Sequence, residues 1–328
     1  MREVGIKAKK NRIVPIIITI IVVVLTLILL VVLRNPVLTM DSTQIDRWAY
    51  GSCGKPEGKI VVLSIYTDND AIVWSNSPED ELRKDTMRER LLTGTKWISN
   101  QAQEYGKSVE FVCDWKTDSD LKIITDIEDD LTFVSDTNKK VILDNIRDEI
   151  AERGSMLIKK YDADGIIYAY MLNIPETKEK FSSVAMPYHG NVNDDTGNLT
   201  DNTATEESKM DSDIIPCDRN EAVILGYTTW GIECYPAIYA HEILHLFGAP
   251  DFYDVDRSGN NYGTNEESVK WFEENNANDI MYEMYSFDDN GIPKPEIVQE
   301  ITDATAYYIG WIEDWTIRSE LGLEENRY

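Results

Sequence analysis

One short segment of the chain, residues 239–254, combines residue types and a spacing that indicate chemistry. It reads YAHEILHLFGAPDFYD, and its core is an HExxH pattern formed by His241, Glu242 and His245. Histidines four positions apart lie on one face of a helix, so both rings can present a nitrogen to the same metal ion. The pattern predicts that His241 and His245 bind zinc.

Glu242, beside the first of these histidines, is the predicted general base. Zinc lowers the pKa of a bound water towards about 7, and a neighbouring carboxylate then accepts its proton while hydroxide attacks a carbonyl carbon. Hydrolysis of an amide bond requires these steps. The motif therefore favours a peptidase.

The third zinc ligand is predicted to be a carboxylate. A catalytic zinc usually has three protein ligands and one water, and no histidine follows His245. Asp251 is preferred because Gly248 ends the helix and lets the chain turn back beneath the metal. The competing candidates are other acidic residues and the one upstream histidine: Asp254, Glu266, Glu267, Glu283 and His189.

The motif must lie on a buried helix. Pro236 suits the first turn of such a helix, and Gly248 suits its end. Apolar residues around the predicted ligands supply the surface for burial: Ile238, Ile243, Leu244 and Phe247.

Signals for strands and helices alternate along the rest of the chain. Apolar, β-branched runs predict strands at 60–66, 109–115, 165–172, 183–188 and 222–229. Helix signals, the first with Ser77 as N-cap, lie at 77–106, 141–160 and 295–309. This order predicts an α+β domain built on a mixed β-sheet.

The N-terminal part of the chain predicts a membrane anchor. Residues 13–33 carry no charge and, at about 1.5 Å per helical residue, can cross a hydrocarbon core of roughly 30 Å. A core helix and a cleaved signal peptide are the alternatives. Basic side chains before this run predict a cytoplasmic N-terminus: Lys7, Lys9, Lys10 and Arg12. The predicted organisation is a basic tail at 1–12, a transmembrane helix at 13–33, a stalk at 34–58 and an extracellular domain at 59–328.

Charge and cysteine content limit the partners and the covalent structure. The formal net charge is −27, from 59 acidic and 32 basic side chains, so the chain should repel nucleic acid and anionic lipid. Four cysteines follow the predicted anchor, where they permit two disulfides: Cys53, Cys113, Cys217 and Cys234. Buried free thiols are the alternative.

The motif resembles that of a known family. HEILHLFGAPD is similar to the HExxHxxGxxD form of the metzincin zinc peptidases, as in snapalysin and the immune inhibitor A type of bacterial peptidase. The resemblance implies a mixed sheet, an active-site helix, Asp251 as third ligand and a Met-containing turn beneath the metal. Residues 278–281 resemble that turn, with Met281 as its floor. Many of these enzymes have a tyrosine two positions after the Met, where this chain has Glu283, so Tyr282 or Tyr285 is the candidate oxyanion stabiliser.

Two loops are candidates for binding a cation. The polar segment 190–216 fits a surface excursion, an insertion or a cation-binding loop. The first half of an EF-hand loop is reproduced by Asp254, Asp256, Ser258 and Gly259, but its twelfth position is Asn265, where a bidentate Glu is expected. An ordinary acidic turn and a Ca²⁺ loop both remain open there.

The sequence therefore favours a membrane-anchored zinc endopeptidase that acts on proteins or peptides outside the cell. A catalytically inactive binding or adhesion module with a structural metal site is the first alternative. A zinc hydrolase acting on a non-peptide bond is the second.

Overall fold

The computed structural model of this chain describes residues 55–69, 72–131, 141–142, 144–177, 181–186, 222–255, 264–285, 287 and 294–323. These residues all belong to one compact unit, Asp46–Tyr328. Within the described ranges, no helix is both long and apolar enough to cross a membrane. Several predicted features lie outside the described residues: the basic tail, the transmembrane helix, the stalk as far as residue 54, the segment 190–216, His189, Cys53 and Cys217.

A six-stranded mixed sheet forms the centre of the domain. Its strands are β1 (Gly58–Asn69), β2 (Val109–Val112), β3 (Lys122–Ile127), β4 (Gly165–Leu172), β5 (Val184–Met186) and β6 (Ala222–Gly226). The order is β2-β1-β4-β6-β5, and β3 also pairs with β1, beyond the end of β2. All pairings are parallel except that of β5, an edge strand antiparallel to β6. The predicted mixed sheet is confirmed.

Helices cover both faces of this sheet. They are α1 (Pro78–Glu104), α2 (Ala151–Tyr161), α3 (Pro236–Leu246), α4 (Glu266–Asn275), α5 (Asp303–Tyr308) and α6 (Ile317–Glu320). A 3-10 turn, Ser119–Leu121, precedes β3, and a π-helical turn, Ile146–Ile150, precedes α2. A small hairpin of β7 (Thr228–Thr229) and β8 (Ile232–Glu233) follows β6. The domain is therefore mixed α/β, with a largely parallel sheet; of the predicted α+β domain, the mixed sheet is what the structure bears out.

Two predicted helix boundaries have opposite outcomes. The start of α1 is confirmed, since the Ser77 hydroxyl accepts a hydrogen bond from the Asp80 N–H at 3.1 Å and Pro78 is the first helical residue. The prediction of a helix at 295–309 is wrong over its first half, because α5 begins only at Asp303. Glu300 is instead extended and forms a parallel bridge with Asp279.

Strand β1 explains why the sheet is buried on both sides. Val62 and Tyr66 pack into an apolar core that includes residues of α1 and α3. Val61 and Leu63 point the other way, into a second core that includes residues of α2 and the π-helical turn. Successive side chains of a strand point to opposite faces, so a continuous apolar run suits a central strand covered on both faces.

Candidate metal centre

Helix α3 carries the HExxH motif and is almost completely buried. Helix α1 packs closely against it at Gly94, where a Cβ atom would lie 2.9 Å from the carbonyl oxygen of Pro236. After α3, Gly248 has a φ of 100°, a conformation that side-chain-bearing residues rarely adopt. The chain reverses there and returns towards the helix with Asp251.

The three predicted ligands converge. The Nε2 atoms of His241 and His245 are 3.0 Å apart. Oδ1 of Asp251 lies 3.1 Å from Nε2 of His241 and 3.2 Å from Nε2 of His245. Among the described residues, these three form the group whose ligand atoms lie close enough together, within 4.8 Å, to bind one metal ion.

Backbone carbonyls set the tautomer of both imidazoles. Nδ1 of His241 lies 3.0 Å from the Ile280 carbonyl oxygen, and Nδ1 of His245 lies 2.7 Å from that of Ala249. A carbonyl oxygen only accepts, so each Nδ1 carries the proton and each neutral ring keeps a lone pair on Nε2. This is the arrangement that a metal-binding histidine requires.

The surroundings of the Asp251 carboxylate indicate whether these residues suit a metal ion. Its Oδ1 is buried and, while both histidines are neutral, has no hydrogen-bond donor within the described part of the chain, because neither Nε2 then carries a proton. A buried carboxylate oxygen without a donor is costly. A cation between the three atoms would satisfy it, and two imidazoles with one carboxylate are a donor set that suits zinc.

Protons bind to the same group of side chains as the predicted metal ion. Burial acts to lower the pKa of His245, but the Asp251 carboxylate, the charge of Glu242 and the hydrogen bond to the Ala249 carbonyl together outweigh it and raise that pKa to about 9. Burial likewise acts to raise the pKa of Asp251, and the two histidines hold it well below its usual range. The group is thus strongly attractive to a positive charge.

Glu242 lies beside this centre with its side chain buried. Burial raises the pKa of its carboxyl, while the two neighbouring histidines and a backbone hydrogen bond from Ala185 act to lower it. Ala185 belongs to the edge strand β5, so the sheet edge orients this carboxylate. A carboxylate with a raised pKa takes up a proton more readily near neutral pH.

The predicted Met-containing turn lies against the ligands. Met281 is fully buried. The Ile280 carbonyl accepts a hydrogen bond from Nδ1–H of His241, and the Met281 carbonyl accepts one of 2.8 Å from the N–H of Phe252, the residue after Asp251. One turn therefore holds a ligand of α3 and the loop that carries the third ligand.

The two candidate oxyanion stabilisers have different surroundings. Tyr282 stacks on Phe272 of α4 with ring centroids 6.4 Å apart. The Tyr285 hydroxyl is buried and has no hydrogen-bond partner within the described residues. Burial, then Cys234 and Glu242, raise its pKa. Of the two candidates, Tyr285 is therefore the one whose pKa is affected by the predicted base, Glu242.

Sequence reasoning missed Tyr253 as a site residue. Its half-exposed ring stacks on His241 with centroids 6.3 Å apart and an interplanar angle of 23°. Burial, then the charge of Asp251 and a hydrogen bond to it, raise the pKa of its hydroxyl, and Glu242 adds to the effect. The signal available in the sequence was its position two residues after Asp251.

The four competing carboxylates do not join the centre, while His189 lies outside the described residues. Glu266 and Glu267 lie in the first turn of α4, and a Glu283 carboxylate oxygen accepts the Tyr285 N–H at 2.8 Å. Asp254 accepts the N–H of Val255 at 2.8 Å. None of these four carboxylates belongs to the described group of possible metal ligands.

The residue at the twelfth position of the possible Ca²⁺ loop caps a helix. Asn265 caps α4, since its side chain accepts the Ser268 N–H at 2.8 Å and donates to the Leu321 carbonyl at 2.8 Å. Its amide is therefore occupied at the position where an EF-hand needs its last ligand. Asp256, Ser258 and Gly259 lie outside the described residues.

Two of the four cysteines are free, buried thiols, Cys113 and Cys234. Each sulfur has a hydroxyl neighbour, 3.5 Å away in Thr95 and 3.6 Å away in Ser183. Burial raises the pKa of Cys113 to about 11 and that of Cys234 to about 12. For these two residues the alternative of buried thiols is the one observed.

Comparison with known proteins adds no assignment. No family model matches the chain, and no curated protein matches it.

Proposed function

We propose that this chain is a zinc-dependent endopeptidase of the metzincin type. The observation that carries the proposal is the convergence of His241, His245 and Asp251 at about 3 Å, with the Glu242 carboxylate buried beside them. The mixed sheet, the buried motif helix and the turn at Met281 support the metzincin-like fold. The proposed substrates are proteins or peptides.

The two histidines and Asp251 would hold the metal. Bound zinc would supply a Lewis acid that polarises the scissile carbonyl and makes water more acidic. Glu242 accepts the proton of the attacking water and returns it to the departing amine. The Ala185 N–H keeps the carboxylate in place during both transfers. The hydroxyls of Tyr285 and Tyr253 are the candidate donors to the negative oxygen that develops on the substrate.

The alternative of an inactive binding module with a structural metal site is less well supported. Structural zinc sites are usually closed by four protein ligands, whereas the described group has three. A structural site also has no use for a buried carboxylate such as Glu242, whose burial is costly. A protein side chain at the fourth metal position would favour this alternative.

The decisive experiment replaces the proposed base while keeping the metal. Full-length chain is loaded with zinc and incubated with a mixed peptide library, and products are identified by mass spectrometry. We expect Glu242→Gln to retain zinc and to lose cleavage by roughly 10²- to 10⁴-fold, as removal of a general base does. The matched control Glu267→Gln, in α4, should cleave normally.

Cleavage that survives in zinc-loaded Glu242→Gln would contradict the mechanism. Hydrolysis of ester or other non-peptide substrates by the wild type, with every peptide left intact, would favour the other class of zinc hydrolase.

We also propose that the domain lies outside the cell, anchored by residues 13–33. The uncharged run and the basic residues before it support this location. Full-length chain should remain with membranes after a high-salt wash and require detergent for release. Recovery of the intact chain in the aqueous fraction would contradict the anchor.

A further inference from the structure

Asp279, in the turn beneath the ligands, has a completely buried carboxylate. Oδ1 accepts the Met281 N–H at 2.8 Å and lies 2.7 Å from the Thr305 hydroxyl. Oδ2 accepts the N–H and the hydroxyl of Thr302, at 3.0 Å and 2.5 Å. A buried carboxylate is costly to keep, and these donors reduce the cost. They also tie the turn to the start of α5.

The peptide between Ile280 and Met281 connects this carboxylate to the metal centre. In a trans peptide the N–H and the carbonyl point in opposite directions. The N–H of Met281 points at Asp279, so the carbonyl of Ile280 points away from Asp279. That oxygen lies 3.0 Å from Nδ1 of His241. A continuous line of hydrogen bonds therefore runs from Asp279, through one peptide, to a predicted ligand.

A charge at one end of this line affects the imidazole at the other end. A carboxylate that accepts the Met281 N–H polarises the peptide, which makes the Ile280 carbonyl a stronger acceptor. A stronger acceptor holds the His241 proton on Nδ1 and makes Nε2 a better donor to a metal. Histidine ligands often contact a carboxylate directly, whereas here a peptide group stands between the two.

The same turn also restrains the third ligand. The Met281 carbonyl accepts the N–H of Phe252 at 2.8 Å. Phe252 follows Asp251 in the chain, so a shift of the turn would move the Asp251 carboxylate. Asp279 fixes the turn, and two of the three predicted ligands depend on the position of that turn.

We propose that Asp279 is a positioning residue of the metal centre, which strengthens metal binding through the Ile280–Met281 peptide. This inference rests on the proposed metal-dependent function. Asp279 does not contact the metal or the substrate. Its effect should therefore appear in metal affinity before it appears in any property of the substrate.

The test measures zinc affinity of the full-length chain by competition with a chromophoric chelator. Asp279→Asn keeps the shape of the side chain and removes its charge. We expect zinc affinity to fall about 10-fold, the lower end of the range for groups that support a metal ligand. The absorption spectrum of the Co²⁺-loaded variant should also change, because the geometry around His241 changes.

The matched control is Asn145→Ala, on the other face of the sheet. Asn145 is buried and accepts a hydrogen bond from the Tyr170 hydroxyl at 2.8 Å, so its removal should also destabilise the fold. It should leave zinc affinity unchanged. The inference is overturned if Asp279→Asn binds zinc as tightly as the wild type, or if Asn145→Ala weakens zinc binding as much.

A measurement on the unaltered chain covers the case in which Asp279→Asn does not fold. If Asp279 strengthens zinc binding through the Met281 amide, zinc must by reciprocity strengthen the hydrogen bond of that amide. Zinc should therefore slow hydrogen exchange at Met281 and leave exchange unchanged at Gly106, in the turn after α1. Unchanged exchange at Met281 in zinc-loaded protein would overturn the inference. A wild type that binds no zinc would instead overturn the proposed function.

Discussion

Nδ1 of His245 donates a hydrogen bond to the carbonyl of Ala249, 2.7 Å away and only four residues further along the chain. This contact forms because α3 ends at Leu246, one residue after His245, and the backbone reverses at Gly248. The end of the helix thus fixes the tautomer of one predicted ligand and also directs the chain towards Asp251.

Gly248→Ala should weaken metal binding. With a φ of 100°, an alanine there is strained by about 1 kcal/mol or more. Relief of that strain would move the Ala249 carbonyl away from His245. Gly106→Ala is the control, since Gly106 also has a positive φ, 66°, with no atom near its Cβ position. Both variants should lose stability in chemical unfolding, and equal zinc affinities in the two would count against this coupling.

Asp251→Asn should reduce zinc affinity by roughly 100-fold or more. A 100-fold loss is the upper end of the range for altering a residue that only supports a metal ligand, and Asp251 is itself a proposed ligand. The amide carries no charge to offset that of the metal, and the histidines would lose their anionic partner. Asp254→Asn changes an acidic residue three positions away and should bind zinc normally. Chelator competition measures both affinities. A larger loss in Asp254→Asn would move the third ligand to that residue.

Tyr285→Phe should lower kcat and leave zinc affinity unchanged. Loss of one donor to a developing oxyanion typically costs on the order of 10²-fold in kcat. Tyr282→Phe provides the comparison, because the ring of Tyr282 stacks on Phe272. Steady-state kinetics with one peptide substrate distinguish the two variants. Equal kcat values would leave Tyr285 without a catalytic role, and Tyr253→Phe would then be the next variant to measure.

Cys113 and Cys234 should resist alkylation in the folded chain. Their raised pKa values, about 11 and about 12, keep the thiolate fraction small until the pH approaches those values, and both sulfurs are buried. Iodoacetamide followed by peptide mass spectrometry should label both residues only after unfolding. Rapid labelling of native protein at neutral pH, or a disulfide involving either residue, would contradict the structure.

Elements with local signals could be predicted from the sequence. The start of α1 needs only Ser77 and Pro78, and β4 is an uninterrupted apolar run, so both were predicted correctly. Strand β3 was missed because it is an edge strand with exposed residues such as Ile124 among buried ones.

The prediction of a helix at 295–309 was wrong for a different reason. The backbone of Glu300 is paired with the turn at Asn278, a segment distant in sequence. No local pattern contains that pairing, so helical spacing in the sequence was misleading there.

The same distinction applies to the candidate site. The spacing of His241, Glu242 and His245 is local and could be interpreted directly. The groups that orient the histidines are the backbone carbonyls of Ile280 and Ala249, and a carbonyl has no sequence signature. In the sequence, Asp279 was recognisable only as part of the Met-containing motif at 278–281. Its hydrogen-bonded link to His241 depends on the fold.

The most direct test of the account is the zinc content of purified full-length chain after equilibration with buffered zinc, measured by mass spectrometry of the metal. We predict one zinc ion per chain in the wild type and in Glu242→Gln, and none in His245→Ala. A wild-type chain without zinc, or a His245→Ala variant that keeps its ion, would contradict the assignment of this site.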